Sequence, residues 1–315
     1  FGYDLHSGQE LIDETAKYFK EEQVFRIDHY VAKETVQNIL TFRFRNPIFE
    51  DIWDAKHIER IEITAAEKID IEGRAIFYEQ TGALRDLIQS HLLQLMASLT
   101  MEKPAEFSSA SIHKARLGLL TDTATVRADR LDEFAIRGQY KGYEKEVQND
   151  KSHVETFAAL RLFIENPRWI GVPIIIKTGK ALAEKTTNVK VHFRAVARDH
   201  EHLNTLTFNI QPNEGIAVDL WVKRPGFERK LQQAKMAFSY QQTFDEHGHP
   251  DAYERVLVDA IKGDHTLFAT GEEVLAAWRI IEPVVDIWSR NDEGLKIYSK
   301  GSSGPALPSN WSELT

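Results

Sequence analysis

Val189-Lys190-Val191-His192-Phe193 alternates apolar and polar residues, and the alternation returns in Leu206-Thr207-Phe208-Asn209-Ile210 and across 216–222. A strand turns successive side chains to opposite faces, so a period of two predicts strands with one face covered. Val172-Pro173-Ile174-Ile175-Ile176, a continuous apolar run after a Pro/Gly turn, adds another. Several strands between 105 and 240 with no helical run between them predict a largely antiparallel sheet. Helical spacing returns at 252–261 and at 274–281, the latter opened by Thr270 and Glu273 in a capping-box pattern. The fold class that follows is α+β, a large, mostly antiparallel sheet with helices packed on one face. The Gly-, Ser- and Pro-rich stretch 299–310 reads as a loop or loose tail. There is no internal repeat.

Upstream of the sheet, Ser7 and Glu10 form an S-x-x-E pattern, which predicts a helix with Ile12, Ala16 and Phe19 on one face. Gln23-Val24-Phe25-Arg26-Ile27 reads as a strand. From Glu34, apolar residues at Val36, Ile39, Leu40 and Phe44 follow helical spacing. The nine residues Arg26-Ile27-Asp28-His29-Tyr30-Val31-Ala32-Lys33-Glu34 therefore stand where a strand hands over to a helix. The first N–H groups of a helix are unpaired and its dipole is positive there, which suits an anion. His29, Tyr30 and Lys33 add donors, and Lys33 adds full charge. Asp28 has the wrong sign for an anion ligand and suits the orientation of a histidine. The plainer reading is a capped, solvated helix start.

A second stretch, 82–101, sets Leu84, Ile88, Leu92, Leu95 and Leu99 at helical spacing, with His91 inside the apolar stripe. A lone histidine there is ordinarily a core residue satisfied by a carbonyl. The spare carboxylate of Asp28 gives it another use. Asp199-His200-Glu201-His202 and Asp245-Glu246-His247-Gly248-His249 have metal-ligand residue types, but neither has H-E-x-x-H spacing on a helix, and both read as solvated loops.

At 315 residues the chain has room for one large domain or two ordinary ones. A net charge of -9 argues against nucleic acid as a main partner, so an anionic ligand must be drawn by a local basic pocket. With no cysteine there is no disulfide, thiol nucleophile or cysteine-bound metal. No apolar run is long enough to span a bilayer, and no G-x-G-x-x-G or P-loop pattern is present.

The stretch R-I-D-H-Y-x-x-K-E followed by V-Q-N resembles the signature of glucose-6-phosphate dehydrogenases. Other segments follow that family's pattern in its order. They include Glu72-Gly73-Arg74, Gly82-Ala83-Leu84-Arg85-Asp86, His91-Leu92-Leu93-Gln94, Gly179-Lys180-Ala181-Leu182, Gln211-Pro212-Asn213-Glu214 and Ala277-Trp278-Arg279. Two departures stand beside the motifs. Val31-Ala32 replaces the usual Leu-Gly, and Ser90 stands where the family has Asn.

The resemblance implies oxidation of glucose 6-phosphate to 6-phosphogluconolactone, the first step of the oxidative pentose phosphate pathway, with hydride passing to NADP (NAD possible). It implies His91 as the catalytic base and Asp28 as its partner. His29, Tyr30, Lys33 and Lys185 would hold the phosphate, and Glu72, Asp86, Lys180 and Gln211 would serve the sugar. It further implies a cytoplasmic enzyme, a homodimer or homotetramer formed through the sheet, and no resident metal. The family's E-K-P-F-G precedes a helix and this chain opens at Phe1-Gly2, which leads us to expect a fragment. Residues 1–28, read as the last α–β pair of a Rossmann-like domain, would be the remnant of the dinucleotide-binding half, and 29–315 the substrate-binding and catalytic domain. Such a piece alone would lack turnover. The alternative is a non-catalytic sugar-phosphate-binding or assembly module, for which a base–carboxylate pair has no evident use.

Overall fold

The computed structural model describes residues 1–195, 203–244 and 252–311, so the two His-rich stretches at 199–202 and 245–249 lie outside the described residues. Its sheet has nine strands: β1 (Ile58–Ala66), β2 (Ala135–Tyr140), β3 (Phe157–Leu162), β4 (Ile174–Gly179), β5 (Thr186–Phe193), β6 (Thr205–Gln211), β7 (Gly215–Lys223), β8 (Leu231–Ser239) and β9 (Leu295–Tyr298). Their order is β8-β7-β6-β5-β1-β4-β3-β2-β9. Only β1–β4 and β2–β9 are parallel; the other neighbours run antiparallel.

Register follows from the alternation. Val189 pairs with Ile63 and Phe208, and Val191 pairs with Ile61 and Leu206, while Ile61 and Ile63 face Ile174 and Ile176 on the other side. All eight are fully buried, so one apolar layer crosses four strands. A slip of one residue would turn the whole set to the other face. Burying each is worth about 1.5–3 kcal/mol, which pins the register.

The helices are α1 (Leu5–Ala16), α2 (Glu34–Arg45), α3 (Ala75–Ala83), α4 (Leu93–Thr100), α5 (Ser109–Asp122), α6 (Ala252–Lys262) and α7 (Gly271–Trp288), with shorter turns between. One large core joins α2, α4, α5 and α7 to the covered face. A smaller cluster, with Tyr78, Tyr140, Tyr143 and Trp311, covers the other face over β4, β3, β2 and β9. The carbonyls at the end of α4 are taken up from outside: Leu99 by Arg43 and Trp53, Thr100 by Trp169. Four carbonyls at a helix end need such partners.

Several expectations change. Residues 23–27 form no strand; a 3₁₀ turn covers Glu21–Gln23, and Arg26 alone bridges to Ala269. The strand signal included Phe25, whose ring instead stacks on His265 at 4.1 Å and meets Phe268 edge-on at 4.9 Å. The cap of α1 is Asp4 with Ser7, not Ser7 with Glu10. Its inward face runs through Leu5, Gly8 and Ile12, leaving Ala16 and Phe19 exposed. Helix α5 interrupts the region read as strands alone. The 299–310 stretch is docked: Ser302 bridges to Leu182, and the buried Trp311 donates its indole N–H to the Glu133 carbonyl at 2.9 Å. The Thr270–Glu273 capping box opens α7 as its spacing predicts.

Candidate active site

The motif at 28–33 is a tight turn ahead of α2. Asp28 Oδ1 accepts the N–H groups of Tyr30 and Val31 at 2.8 and 3.2 Å, which fixes the turn from its own first side chain. Lys33 is the residue before the helix, and its side chain makes no capping bond. It reaches the end of β6 instead, donating to Gln211 Oε1 at 2.6 Å, while Gln211 Nε2 donates to Thr187 Oγ1 at 2.9 Å.

The 82–101 stretch is largely helical, but nine of its residues, Leu84–Leu92, form a π-helix. Leu93 N–H reaches back five residues to the Ile88 carbonyl. Such segments are rare and frequent at functional sites. This one carries both Asp86 and His91. His91 Nδ1 lies 2.8 Å from Asp28 Oδ1, an oxygen that can only accept when ionised, so Nδ1 carries the proton and Nε2 is left with a lone pair. Tyr30 stacks on the imidazole at 4.8 Å between centroids, and His29 meets it edge-on at 4.5 Å.

Charge divides the site into two ends. At one end lie His29, Lys33 and Lys185. Burial, then His91 and Lys33 beside it, hold His29 below the usual histidine range against the opposing pull of Asp28. Burial holds Lys33 below its ordinary value, and Lys185 pushes the same way while Glu214 opposes. Lys33 and Lys185 disfavour each other in a partly desolvated place and so stand ready for an anion, while the uncharged His29 ring can add a hydrogen bond. Tyr30 is pushed up to about 12, chiefly by burial with Glu67 adding, so it stays a donor; its hydroxyl is hydrogen-bonded with Thr187.

At the other end the buried Lys180 pairs with Glu67 and lies 3.8 Å from Asp86 Oδ2. Burial raises Asp86, with Lys180 opposing and Glu67 reinforcing. The structure thus draws His91, Asp28, His29, Tyr30, Lys33, Asp86, Lys180, Lys185 and Gln211 into one neighbourhood. Glu72 is not part of it. It sits exposed on a left-handed turn (φ 45°), and its side chain makes no hydrogen bond or ion pair among the described residues. Glu67, one residue beyond β1, holds the place the E-G-R motif suggested for Glu72. The signal for it was the end of the alternating run 58–66, since site residues gather where strands end.

Among the described residues no group of three or more His, Asp or Glu is placed to hold a metal, and no helix is long and apolar enough to cross a membrane. Residues 1–38 contain α1, a 3₁₀ turn and the 28–33 turn, with no strand–glycine loop–helix unit to cradle a dinucleotide.

Comparison with known proteins gives the same picture. Residues 40–313 match the family model described as glucose-6-phosphate dehydrogenase, C-terminal domain, and residues 1–38 match that of its NAD binding domain. The glucose-6-phosphate 1-dehydrogenase of Chlamydia muridarum is 42% identical over 97% of this chain and 63% of its own length. That of Chlamydia trachomatis is 40% identical over 97% of this chain and 73% of its own. A solved glucose-6-phosphate dehydrogenase in complex with glucose 6-phosphate superimposes with a TM-score of 0.90 at 33% identity, covering 97% of this chain and 65% of that one. The chain spans less than two thirds of the length of the Chlamydia muridarum relative and of that solved chain. It belongs to the glucose-6-phosphate dehydrogenase family.

Proposed function

We propose that the protein containing this chain oxidises the C1 hydroxyl of glucose 6-phosphate to the lactone, with NADP as hydride acceptor, NAD serving the same chemistry. This chain supplies the sugar-phosphate site and the base. The observation that carries the reading is the 2.8 Å bond from His91 Nδ1 to Asp28, set between a cationic end and an end of hydrogen-bonding groups.

A bound nicotinamide dinucleotide would supply the hydride acceptor, and the described residues offer it no phosphate loop, so what this chain provides is the proton side. His91 Nε2 takes the hydroxyl proton as C1 becomes a carbonyl carbon, and Asp28 stabilises the imidazolium that forms and keeps the ring in the right tautomer. His29, Tyr30, Lys33 and Lys185 hold the 6-phosphate; Lys180, Asp86 and Gln211 orient the hydroxyls, and Glu67 joins them. The exposed apolar residues Val222, Leu231 and Met236 on the outer strands support a homodimer through the sheet.

The test is His91→Asn in the complete gene product. A positioned general base contributes about 10²–10⁴-fold, so kcat should fall by at least a hundredfold with KM for glucose 6-phosphate little changed. A loss under about tenfold removes His91 from the role.

A further inference from the structure

The start of the π-helix is held from outside itself. Gly82 (φ +66°, ψ 174°) kinks the last turn of α3, just ahead of the π-helix. The N–H groups that open a helix have no partner within it. Glu155, just ahead of β3, takes two of them. Its carbonyl accepts from Ala83 N–H and its Oε1 from Leu84 N–H, each at 2.9 Å. The carboxylate lies where a side chain on residue 82 would stand, its Oε1 2.5 Å from that Cβ position, so the glycine and the glutamate form a fitted pair. Glu155 is buried, and burial raises its carboxyl above the usual range. A buried carboxyl is costly, and nothing in the proposed chemistry touches this one.

The next residue holds the other half of the site. Thr156 O accepts from Lys180 N–H at 2.9 Å, and the Tyr298 hydroxyl, 2.9 Å from Thr156 Oγ1, donates to the Lys180 carbonyl at 2.7 Å. Thr156 itself is tied into the sheet through its N–H to the Gly138 carbonyl at 2.8 Å. Two consecutive residues therefore join the backbone of Lys180 to the start of the helix that carries Asp86 and His91. Asp86 and Lys180 meet across the gap so set, at 3.8 Å.

We propose that Glu155 is a positioning residue for the reaction, fixing through Leu84 the rotation of the π-helix and hence where Asp86 and His91 stand relative to Lys180. The kinetic part rests on the reading of His91 as the base. Glu155→Gln keeps an acceptor for Leu84 N–H in a neutral side chain of the same shape, whereas Glu155→Met keeps the bulk without the acceptor.

The experiment uses both variants of the complete gene product, with Glu155→Asp, too short by one methylene to reach Leu84, replacing the methionine variant if that one does not fold. Hydrogen–deuterium exchange over 82–93 is measured together with kcat in the wild-type and His91→Asn backgrounds. Loss of the acceptor should speed exchange in that segment at least tenfold and lower kcat at least tenfold. The glutamine variant should stay within about threefold on both measures. In the His91→Asn background the loss in kcat should shrink to under threefold, because a base already absent cannot be misplaced. Exchange unchanged over 82–93 overturns the proposal whatever the kinetics show. Faster exchange with unchanged kcat, or an equal fractional loss in both backgrounds, overturns it as well. If His91→Asn alone leaves kcat intact, the base assignment fails separately, and the exchange data still decide whether Glu155 holds the helix.

Discussion

Tyr30 lies nearly parallel to His91, with ring centroids 4.8 Å apart and planes 20° apart. The imidazole is thus held at its Nδ1 edge by Asp28 and on one face by the phenol, while Lys33 stands 4.6 Å over the Tyr30 ring. The Tyr30 ring thus lies between the base and the Lys33 ammonium and touches both. A ring so confined keeps Nε2 aimed without help from substrate, which is what a base acting in the transition state needs.

Tyr30 therefore has two separable parts. Tyr30→Phe keeps the ring and loses the hydroxyl, so its cost should fall on KM for glucose 6-phosphate. Tyr30→Leu also loses a stacked pair worth about 0.5–1.5 kcal/mol and should lower kcat roughly three- to tenfold. Steady-state kinetics on both variants decide this. Equal kcat in the two would show that the stacking does not position His91.

The exchange of Glu72 for Glu67 is equally direct to test. Glu67→Gln removes the carboxylate paired with Lys180 and should raise KM about tenfold or more, the scale of one charge-assisted hydrogen bond. Glu72→Gln, on its exposed turn, should change KM less than about twofold. The opposite ranking would return Glu72 to the site.

A third expectation concerns stability. Glu273 is buried on α7 and accepts from Arg116 Nε at 2.7 Å and Thr270 N–H at 2.6 Å, with His113 Nδ1 at 3.2 Å, tying α5 to α7. Burial alone would raise its carboxyl, but Arg116 and the other partners outweigh that and bring it down to about 2. Since the folded value lies below the unfolded one of about 4.5, the carboxylate's contribution is complete above that pH and is lost as pH falls toward 2. The difference corresponds to roughly 3 kcal/mol. Urea unfolding against pH should show wild type and Glu273→Gln well separated at neutral pH and converging below about pH 4.5. Parallel curves would mean that this carboxylate adds no pH-dependent stability.

Where the sequence was readable, the reason was periodicity or a local cap. Val189, Val191, Leu206 and Phe208 announced β5 and β6, Val36 and Ile39 announced α2, and Thr270 with Glu273 announced the start of α7. The pairing of His91 with Asp28 was inferable because one carboxylate lacked a use and because both residues lie in motifs that resemble the family's. Other features depend on contacts distant in the chain. Phe25 packs rather than pairs, so its strand signal misled. Leu84, Ile88 and Leu92 fit α and π spacing equally well over so short a run, and nothing local distinguishes the two. Glu67 and Glu72 flank one turn, and only the fold shows which reaches Lys180. Glu155 carries no local pattern at all, because its bond partner lies 71 residues away.

The central claim, that the turn at 28–33 seats a phosphate beside a base, rests most directly on Lys33. If Lys33 binds the 6-phosphate, Lys33→Ala removes one charge-assisted hydrogen bond to a dianion, worth about 1.5–3 kcal/mol. Measuring kcat/KM for glucose 6-phosphate and for unphosphorylated glucose, in wild type and variant of the complete gene product, isolates that term. The account predicts a ten- to hundredfold loss, approximately, for the phosphorylated sugar and almost none for glucose, so that the preference between them collapses. Equal, small losses on both substrates would contradict it, since a lysine bound only to Gln211 has nothing to distinguish one sugar from the other.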